Sequence, residues 1–553
     1  MKKLKKAVSI LVAIAMIVVL LSGCGSEAAP SGTSGNPAAN AGNTKWDGTY
    51  PIVKDGSVTL TYWVEFSSKL IKSLDESPMY KKMEQDTGVK IKFINPSTGG
   101  DTQALQTAFN LLVASNDLPD ILDTPPSYPG GADKAISDGI YYDFTDIFEQ
   151  YAPNFNKIIE KTPDIKRECV SANGRLWKMP QTSLEKAGPW AGPFIRKDLL
   201  DKAGLSVPET INEWETALKA MKSQGIKAPL TLTFTWLYES TSAFVGAYDA
   251  SLGWSKFMNK DGKIVYGPIE SGFKEYLTTM NRWYQEGLLD KDFITSTDEI
   301  QETAITSGKA GSYVGGYGCK TYNNIASKNI PGFNIVPAPY PKLTKDQTVN
   351  IRETNSYTTG NCGVISATCK NPEIALAWLD YSYGADGFLL HNYGIEGESY
   401  EFSDETSDAD KYAQRSFPDE LKDKGVKFTD TITNNKDGYS REDFYTYYFT
   451  WNAPCLRGNI ILESDIPAVE IWEKTSDKWA LPKGLSFDAD TTKKNNEIIT
   501  QVDTYQKEMM FKMIRGDEPI SRFDDYVAQI NKLGMDTVLK NYQSAYDKSM
   551  SIK

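Results

Sequence analysis

The chain has 553 residues, of which 40 % are apolar and 12 % aromatic, and its net charge is −12. This apolar fraction is typical of a folded protein, and the length is too great for a single hydrophobic core, so we expect at least two lobes. An acidic chain without a block of Lys and Arg is a poor nucleic-acid binder, because that affinity depends on clustered cations.

The first 23 residues have the build of a secretory signal peptide, with four lysines, a short apolar run and then Ser22 and Gly23, and Cys24 follows directly. A membrane-spanning helix needs about 20 apolar residues, so the run is short for a permanent anchor. The small-small-Cys ending resembles the lipobox of bacterial lipoproteins, whose Cys carries a diacylglycerol and becomes the new N-terminus. The resemblance implies a lipid anchor on Cys24 at the extracytoplasmic face of the cell membrane. The alternative is an ordinary signal peptide with an accidental Cys.

Residues 25–44 are almost entirely Gly, Ala, Ser, Asn, Pro and Thr, with Glu27 as the only charge. Such a segment buries too little apolar surface to fold, so residues 24–48 are predicted to be a flexible tether. The globular part should begin near Trp46. Loss of the four signal-peptide lysines would change the net charge from −12 to −16.

The globular part begins with strands and helices in alternation, which favours a parallel α/β sheet. Alternating β-branched and aromatic residues predict strands, and a 3.6-residue apolar period predicts helices. The predicted strands are 57–66, 89–95 and 118–122, and the predicted helices are 78–86 and 102–114, with further helix signals over 142–151.

From residue 172 onward, several runs resemble extracellular solute-binding proteins of ABC importers, in particular the large oligosaccharide-binding, family 1-like type. The runs are "ANGRLWKMPQ", "FIRKDLLDKAGLSVPETINEWETALKAMKSQG", "FMNKDGKIVYGPIESGFKEYLTTMNRWYQEGLLDKDF", "ITSGKAGSYVGGYG", "CGVISATCKNPEIALAWLDYSY" and "MMFKMIRGDEPISRFDDYVAQINKLGMDTVLKNYQSAYD". The resemblance implies a two-lobed periplasmic-binding-protein-like α/β fold. Each lobe would be a mostly parallel sheet flanked by helices, with the ligand cleft between the lobes.

The resemblance also implies that the chain crosses between the lobes several times, near residues 180–190, 350–360 and 455–465. We expect the first lobe to comprise residues 49–182 and 358–460. The second lobe would comprise residues 183–357 and 461–553.

Local signals agree with this division. Gly287 and Gly308 stand where a helix should end in the left-handed conformation. Four prolines between residues 331 and 341 mark an exposed connection. The acidic stretch 398–443 has few apolar periods, so we expect irregular surface structure there.

Enzyme motifs are missing from the sequence. His391 is the only histidine, it resembles a helix-end residue of the family, and we expect it at the surface or at a cap. No GxSxG, HExxH or GxxxxGK[ST] run occurs. Acidic residues are abundant, but no pattern places two of them in a shared apolar pocket for glycosidic cleavage.

No cofactor is expected. Calcium-loop spacing fails, since the first ligand position falls on Phe257 for a loop around Gly262 and on Thr433 for one around Gly438. Irregular calcium sites leave little trace in a sequence, so a structural calcium ion stays open. Beyond Cys24 the cysteines are odd in number and lack zinc spacing, so we expect mostly buried thiols, with one disulfide open. They are Cys169, Cys319, Cys362, Cys369 and Cys455.

The aromatic content suggests a ligand class, because sugars present flat C–H faces and a fringe of hydroxyls. A sugar site therefore needs aromatic rings together with charged or amide groups. The candidates lie at predicted strand ends, where α/β sheets bind ligands, or in segments that resemble the family's cleft loops. They are Trp63, Glu65, Tyr128, Trp190, Trp236, Glu239, Tyr317, Trp451 and Arg457. Trp378 and Trp479 are assigned to the core.

We therefore expect a monomeric receptor that captures a carbohydrate outside the cell and delivers it to an importer permease by hinge closure. An oligosaccharide is favoured, although a peptide or other solute stays open. The alternative from another class is a surface polysaccharide-degrading enzyme, either a lyase or a hydrolase. A simple adhesion lipoprotein is a third, which the predicted crossings between lobes argue against.

Overall fold

A computed structural model of the protein describes residues 46–66, 71–234, 242–353, 356–429 and 453–551. All of these residues belong to one compact unit, residues 44–553. The signal-peptide and lipobox prediction lies outside the described residues. Within the described ranges, no helix is both long enough and apolar enough to cross a membrane.

The strands form two main sheets and two separate antiparallel pairs. Their bounds are β1 Thr59–Trp63, β2 Lys90–Ile94, β3 Ile121–Asp123, β4 Lys178–Thr182, β5 Ala191–Arg196, β6 Ala228–Thr231, β7 Phe257–Lys260, β8 Lys263–Tyr266, β9 Ala310–Gly316, β10 Ile335–Pro337, β11 Thr358–Ile365, β12 Tyr400–Phe402 and β13 Val426–Phe428.

Both main sheets are mixed. The first has the order β2-β1-β3-β11-β4, and the second has the order β10-β5-β9-β6. β1 runs parallel to β2 and β3, whereas β11 is antiparallel to β3 and β4. In the second sheet only β6 and β9 are parallel. The predicted α/β class is therefore confirmed. The prediction that each sheet is mostly parallel is wrong, because β11 returns to the first sheet in the direction opposite to β3.

Helices flank both sheets. Their bounds are Pro78–Thr87, Thr102–Ser115, Gly131–Ser137, Phe148–Tyr151, Pro153–Lys161, Pro163–Cys169, Lys197–Lys202, Ile211–Ser223, Ser271–Gln285, Asp298–Thr306, Cys319–Ala326, Pro372–Tyr381, Ala385–Asn392, Asp408–Gln414, Ile466–Trp472, Ala489–Arg515, Phe523–Lys532 and Met535–Met550.

The helix ends follow from local chemistry. Helix Pro78–Thr87 starts with a proline in its first turn and ends at Gly88, whose φ is 69°. Helix Ile211–Ser223 begins with a capping box, in which Thr210 and Glu213 satisfy each other's backbone N–H groups. Gly287, predicted to end a helix, has a φ of 63° directly after helix Ser271–Gln285 and its cap.

Two large hydrophobic cores correspond to the two sheets. One is built around β1, β3 and helix Pro372–Tyr381, where Tyr62 meets Trp378 edge-on at 5.6 Å between ring centroids. The other is built around β5, β9 and the long helix Ala489–Arg515, and it buries Phe194 and Trp472. The assignment of Trp378 to the core is confirmed by its 3 % exposure.

Two expectations for residues 385–430 need correction. His391 lies near the end of helix Ala385–Asn392, as expected, but it is buried and its Nε2 lies 2.9 Å from Ser382 Oγ. Burial lowers the pKa of His391 to about 4. The stretch 398–443 is not wholly irregular, because β12 pairs with β13 and the Ser407 capping box starts helix Asp408–Gln414.

The five cysteines in the described part of the chain are all free thiols. Four of them are buried, as expected, and Cys319 is half-buried. Burial raises the pKa of Cys362 to about 11 and that of Cys455 to about 12. These thiols are therefore protonated at neutral pH and behave as small core side chains.

Candidate functional site

The candidate site is a cavity where the chain passes between the two sheets. One passage, 183–190, joins β4 to β5, and another, 338–357, joins β10 to β11. A third, 457–465, leads from Leu456 in the first core to helix Ile466–Trp472 in the second. A cavity of about 330 Å³ opens at these passages. It is lined by Thr182, Ser183, Ala187, Gly188, Trp190, Tyr317, Ser356, Tyr357, Thr358, Thr359, Tyr412, Arg457, Gly458, Asn459, Ile460, Ile461 and Lys483.

Backbone hydrogen bonds hold the three passages side by side. Thr182 N–H donates to the Cys455 carbonyl at 2.9 Å, and Arg457 N–H donates to the Thr182 carbonyl at 2.6 Å. The next amide, Ser183 N–H, donates to the Tyr357 carbonyl at 2.8 Å. A short ladder of backbone hydrogen bonds, to which all three passages contribute, therefore forms the floor of the cavity.

Four aromatic residues are among those that line the cavity: Trp190, Tyr317, Tyr357 and Tyr412. Tyr317 stacks on the buried Trp472, with 6.2 Å between centroids and 15° between ring planes. Its hydroxyl donates to the Pro189 carbonyl at 2.9 Å. Trp472 supports one face of the ring, and the hydrogen bond holds its hydroxyl end. The Tyr317 ring is therefore a rigid apolar surface of the kind that stacks against a sugar.

Two glycines allow the rings to approach the backbone. A Cβ on Gly188 would lie 2.3 Å from the Tyr412 hydroxyl oxygen, to which the Gly188 N–H donates at 3.0 Å. A Cβ on Gly192 would lie 2.4 Å from the indole of Trp472, the ring that supports Tyr317. Both positions therefore require glycine because of space, without any unusual φ.

Two buried acidic residues contact the cavity lining from outside the cavity. Glu353 is 3 % exposed, and its Oε2 accepts from the Trp190 N–H at 3.1 Å. Burial raises the pKa of Glu353 to about 7. Glu168 accepts from the hydroxyls of Ser356, at 2.7 Å, and of Thr358. Neither acid lines the cavity, and their hydrogen bonds position Trp190, Ser356 and Thr358, which do.

Two basic residues, Arg457 and Lys483, line the cavity. The backbone of Arg457 is held by its N–H bond to the Thr182 carbonyl, and Lys483 is exposed. None of the described residues that line the cavity is an aspartate or a glutamate.

Of the nine predicted ligand-binding residues, Trp190, Tyr317 and Arg457 are brought together at this cavity. Trp63 is placed elsewhere: it is 2 % exposed and packs against Phe109 at 6.3 Å between centroids. Its ring belongs to the core, so we leave it out of the proposed site.

Glu65 and Tyr128 also have structural partners away from the cavity. Glu65 accepts from the backbone N–H groups of Thr98 and Gly99 at 3.1 and 3.0 Å, and so holds the loop after β2. The Tyr128 hydroxyl donates to Asp138 at 2.6 Å, which raises the pKa of Tyr128 to about 12. The remaining predicted residues, Trp236, Glu239 and Trp451, lie outside the described residues, as does Cys24.

The cavity also contains residues that the sequence did not single out, chiefly Tyr357, Tyr412 and Lys483. Tyr357 directly precedes β11, a strand-end position that could have been a signal. Tyr412 lies in the stretch expected to be irregular, and Lys483 in a connection before the long helix Ala489–Arg515. Neither of the latter two has a local signal, because only the tertiary fold brings them here.

No group of three or more His, Cys, Asp or Glu side chains that could hold a metal ion occurs among the described residues.

Comparison with known proteins identifies the family. The model of the bacterial extracellular solute-binding proteins matches residues 67–387, more than half of the chain. The chain belongs to this family. Its members are binding proteins, so the alternative of a polysaccharide-degrading enzyme has no support in the comparisons.

A curated relative is the fructooligosaccharide ABC transporter substrate-binding protein FusA of Streptococcus pneumoniae. It is 22 % identical over 406 residues, which are 69 % of this chain and 69 % of the relative. Among solved structures, an extracellular solute-binding protein from Bifidobacterium longum subsp. infantis has a TM-score of 0.70 and 17 % identity, covering 91 % of this chain and 100 % of that one.

The alginate-binding protein AlgQ2 has a TM-score of 0.63 and 21 % identity, covering 89 % of this chain and 98 % of that one. At these identities the structural matches show the fold. Together they confirm the periplasmic-binding-protein-like α/β fold that the resemblance implied.

Proposed function

We propose that this protein captures an oligosaccharide outside the cell and delivers it to the membrane subunits of an ABC importer. The observation that carries the proposal is the cavity at the three passages, walled by four aromatic rings in a chain of the solute-binding family. FusA, a relative over most of the chain, is a fructooligosaccharide-binding protein of such an importer.

The proposed mechanism is hinge closure of two lobes on the ligand. The lobes would comprise residues 49–182 with 358–460, and residues 183–357 with 461–553. Membership of the strands in two sheets and of the side chains in two large cores supports this division. The passages that join the lobes also line the cavity, so a ligand there would contact the segments about which the lobes turn.

We further propose how the protein is anchored and in what form it acts. Cys24 would be lipidated and anchor the mature chain to the extracytoplasmic face of the cell membrane, with residues 24–48 as the tether. The protein would act as a monomer, without a cofactor, without turnover of its ligand and without binding nucleic acid. The aromatic residues of the lining and the absence of an acid in the described lining both favour binding over hydrolysis.

The test is a melting screen of the purified protein over neutral and acidic oligosaccharides, followed by calorimetry on each hit. A ligand at 100 times its dissociation constant should stabilise the protein by about 2.7 kcal/mol. Tyr317→Ala and Trp190→Ala should each weaken binding about thirtyfold, because each removes a ring from the wall. Tyr546→Ala, on the last helix and outside the cavity, is the matched control and should bind normally.

Chromatography of the hit sugar after incubation should show an unchanged length distribution. Shorter or unsaturated products would favour the enzyme alternative. If Tyr317→Ala and Trp190→Ala fold normally and bind as the wild type does, the cavity is not the ligand site.

A further inference from the structure

A segment of the proposed second lobe, residues 481–488, is attached to that lobe at both ends. At its start, Leu481 packs against the second core. Near its end, the Phe487 ring packs on Tyr542 of the last helix, with 4.9 Å between ring centroids. Tyr542 itself packs against the second core. We call residues 481–488 the strap.

The middle of the strap lies against the proposed first lobe. A Cβ on Gly484 would lie 2.9 Å from the Arg167 carbonyl oxygen and 3.0 Å from Glu168 Cα. Both residues belong to helix Pro163–Cys169, which contributes Ile165 to the first core. Gly484 also has a φ of 82°. The space at this contact and the backbone conformation therefore both require glycine.

The end of the strap makes a second contact with the first lobe, again at glycines. A Cβ on Gly130 would lie 3.4 Å from the Cβ of Ala489, the residue after the strap, and one on Gly131 would lie 3.9 Å from the Phe487 carbonyl oxygen. These glycines start helix Gly131–Ser137, which follows β3 of the first sheet. Among the described residues, no backbone hydrogen bond joins the strap to the first lobe. The two surfaces can therefore separate without breaking one.

The strap also borders the ligand cavity. Lys483 lines the cavity, and Gly484, the next residue, makes the contact with Glu168. The Glu168 carboxylate in turn accepts from the hydroxyl of Ser356 at 2.7 Å, and Ser356 lines the cavity as well. A ligand that touches Lys483 and Ser356 would therefore favour the arrangement in which the strap lies on the first lobe.

We propose that the strap closes the cavity: it lies on the first lobe when the lobes are closed on a sugar, and it moves away with the second lobe when they open. The proposal rests on the proposed function and adds the contact that distinguishes the closed arrangement. A substitution that keeps the strap off the first lobe weakens binding by the factor by which it reduces the closed population. Glycine at position 484 is then needed to retain the ligand, although Gly484 does not line the cavity.

The first experiment compares Gly484→Ala with the wild type by calorimetry and stopped-flow dissociation. The probes are kestose, trigalacturonate and each sugar found in the melting screen. The added methyl group would meet backbone atoms of helix Pro163–Cys169, which cannot move aside as the end of a side chain can. We expect the affinity to fall about tenfold, chiefly through faster dissociation.

Gly397→Ala is the matched control for this variant. Gly397 has a φ of 80°, close to the 82° of Gly484, and a Cβ there would have nothing within 4 Å. The control therefore carries the same backbone strain without a contact between the lobes. It should bind and release each sugar as the wild type does.

The second experiment locks the strap with a disulfide between Gly130→Cys and Ala489→Cys. The two Cβ positions are 3.4 Å apart, and the Cβ atoms of disulfides are about 3.5–4.5 Å apart. Bound sugar should speed disulfide formation, because it populates the closed arrangement. Protein oxidised with sugar bound should release it about tenfold or more slowly than the reduced protein, since opening frees the ligand. A reductant should restore the rate, and Ala489→Cys alone should show neither effect.

The outcomes separate the strap from the function on which it rests. If Gly484→Ala folds and binds as the wild type does, or if the oxidised and reduced double variant release sugar equally fast, the proposal for the strap is wrong and the proposed function stands. If Gly484→Ala does not fold, the double variant decides, because its reduced form is its own control. If no sugar binds the wild type, the proposed function fails and the strap proposal fails with it.

Discussion

Replacing Glu353 by glutamine should change how the stability of the protein depends on pH. The carboxyl is 3 % exposed, and burial raises its pKa from 4.5 to about 7. Glutamine keeps a side-chain oxygen that can accept from the Trp190 N–H, and it cannot ionise. The variant therefore imitates the protonated wild type at every pH.

The sign follows from comparing the two states. In the unfolded chain Glu353 loses its proton near pH 4.5, and in the folded protein it does so near pH 7. Below the first value both states are protonated, and the stability contribution is fully present. As the pH rises through the interval, only the folded state holds the proton, so the wild type loses stability. A shift of about 2.5 pKa units at about 1.36 kcal/mol each gives a loss of about 3 kcal/mol by pH 8.

The assay is thermal or urea unfolding of wild type and Glu353→Gln from pH 4.5 to pH 8. The free energy of unfolding of the variant, relative to the wild type, should rise by about 3 kcal/mol over this range. That is about 3 °C in melting temperature if the compact unit unfolds in one step. Glu497→Gln removes the same charge at an exposed position of helix Ala489–Arg515, so it controls for the effect of net charge on stability. Parallel curves for Glu353→Gln and the wild type would refute the reasoning, because Glu353 would then ionise alike in both states.

Two further predictions concern the anchor and the core. Cys24→Ala should release the protein from membranes or leave the signal peptide uncleaved, and mass spectrometry of a mature chain that carries no lipid and starts at another residue would contradict the lipoprotein proposal. Gly192→Ala should lower the free energy of unfolding by about 1–3 kcal/mol, because its methyl group would meet the indole of Trp472 at 2.4 Å; chemical denaturation measures this, and an unchanged midpoint would show that Trp472 can move aside.

Local sequence signals predicted the elements of the first sheet closely. Helix 78–86 was expected from its apolar pattern, and the structure has Pro78–Thr87. The expected strand 57–66 contains β1 Thr59–Trp63. These signals act within a few residues, so one sequence suffices. The direction of β11 could not be predicted, because it depends on how the chain returns from the second sheet.

Fewer of the predicted site residues lie at the cavity, for a physical reason. Position at a strand end does not decide which way a side chain points. Trp63 ends β1 but packs against Phe109, because the sheet is covered on both faces and alternation along the strand buries both Tyr62 and Trp63. Tyr317 follows β9 and does reach the cavity, where Trp472 supports it. Trp472 lies far along the chain, and no local pattern could reveal that contact.

The hydrogen bonds of Thr182 bear on how ligand binding and lobe movement would be coupled. Its amide and carbonyl join the first passage to the third, and its hydroxyl joins the first to the second at Tyr357. A rotation of one lobe against the other must act through these same passages, since they connect the two sheets. A ligand seated on them would therefore prefer one arrangement of the lobes through direct contact, without any relay through the cores. It follows that a substitution in this ladder would change affinity and lobe orientation together.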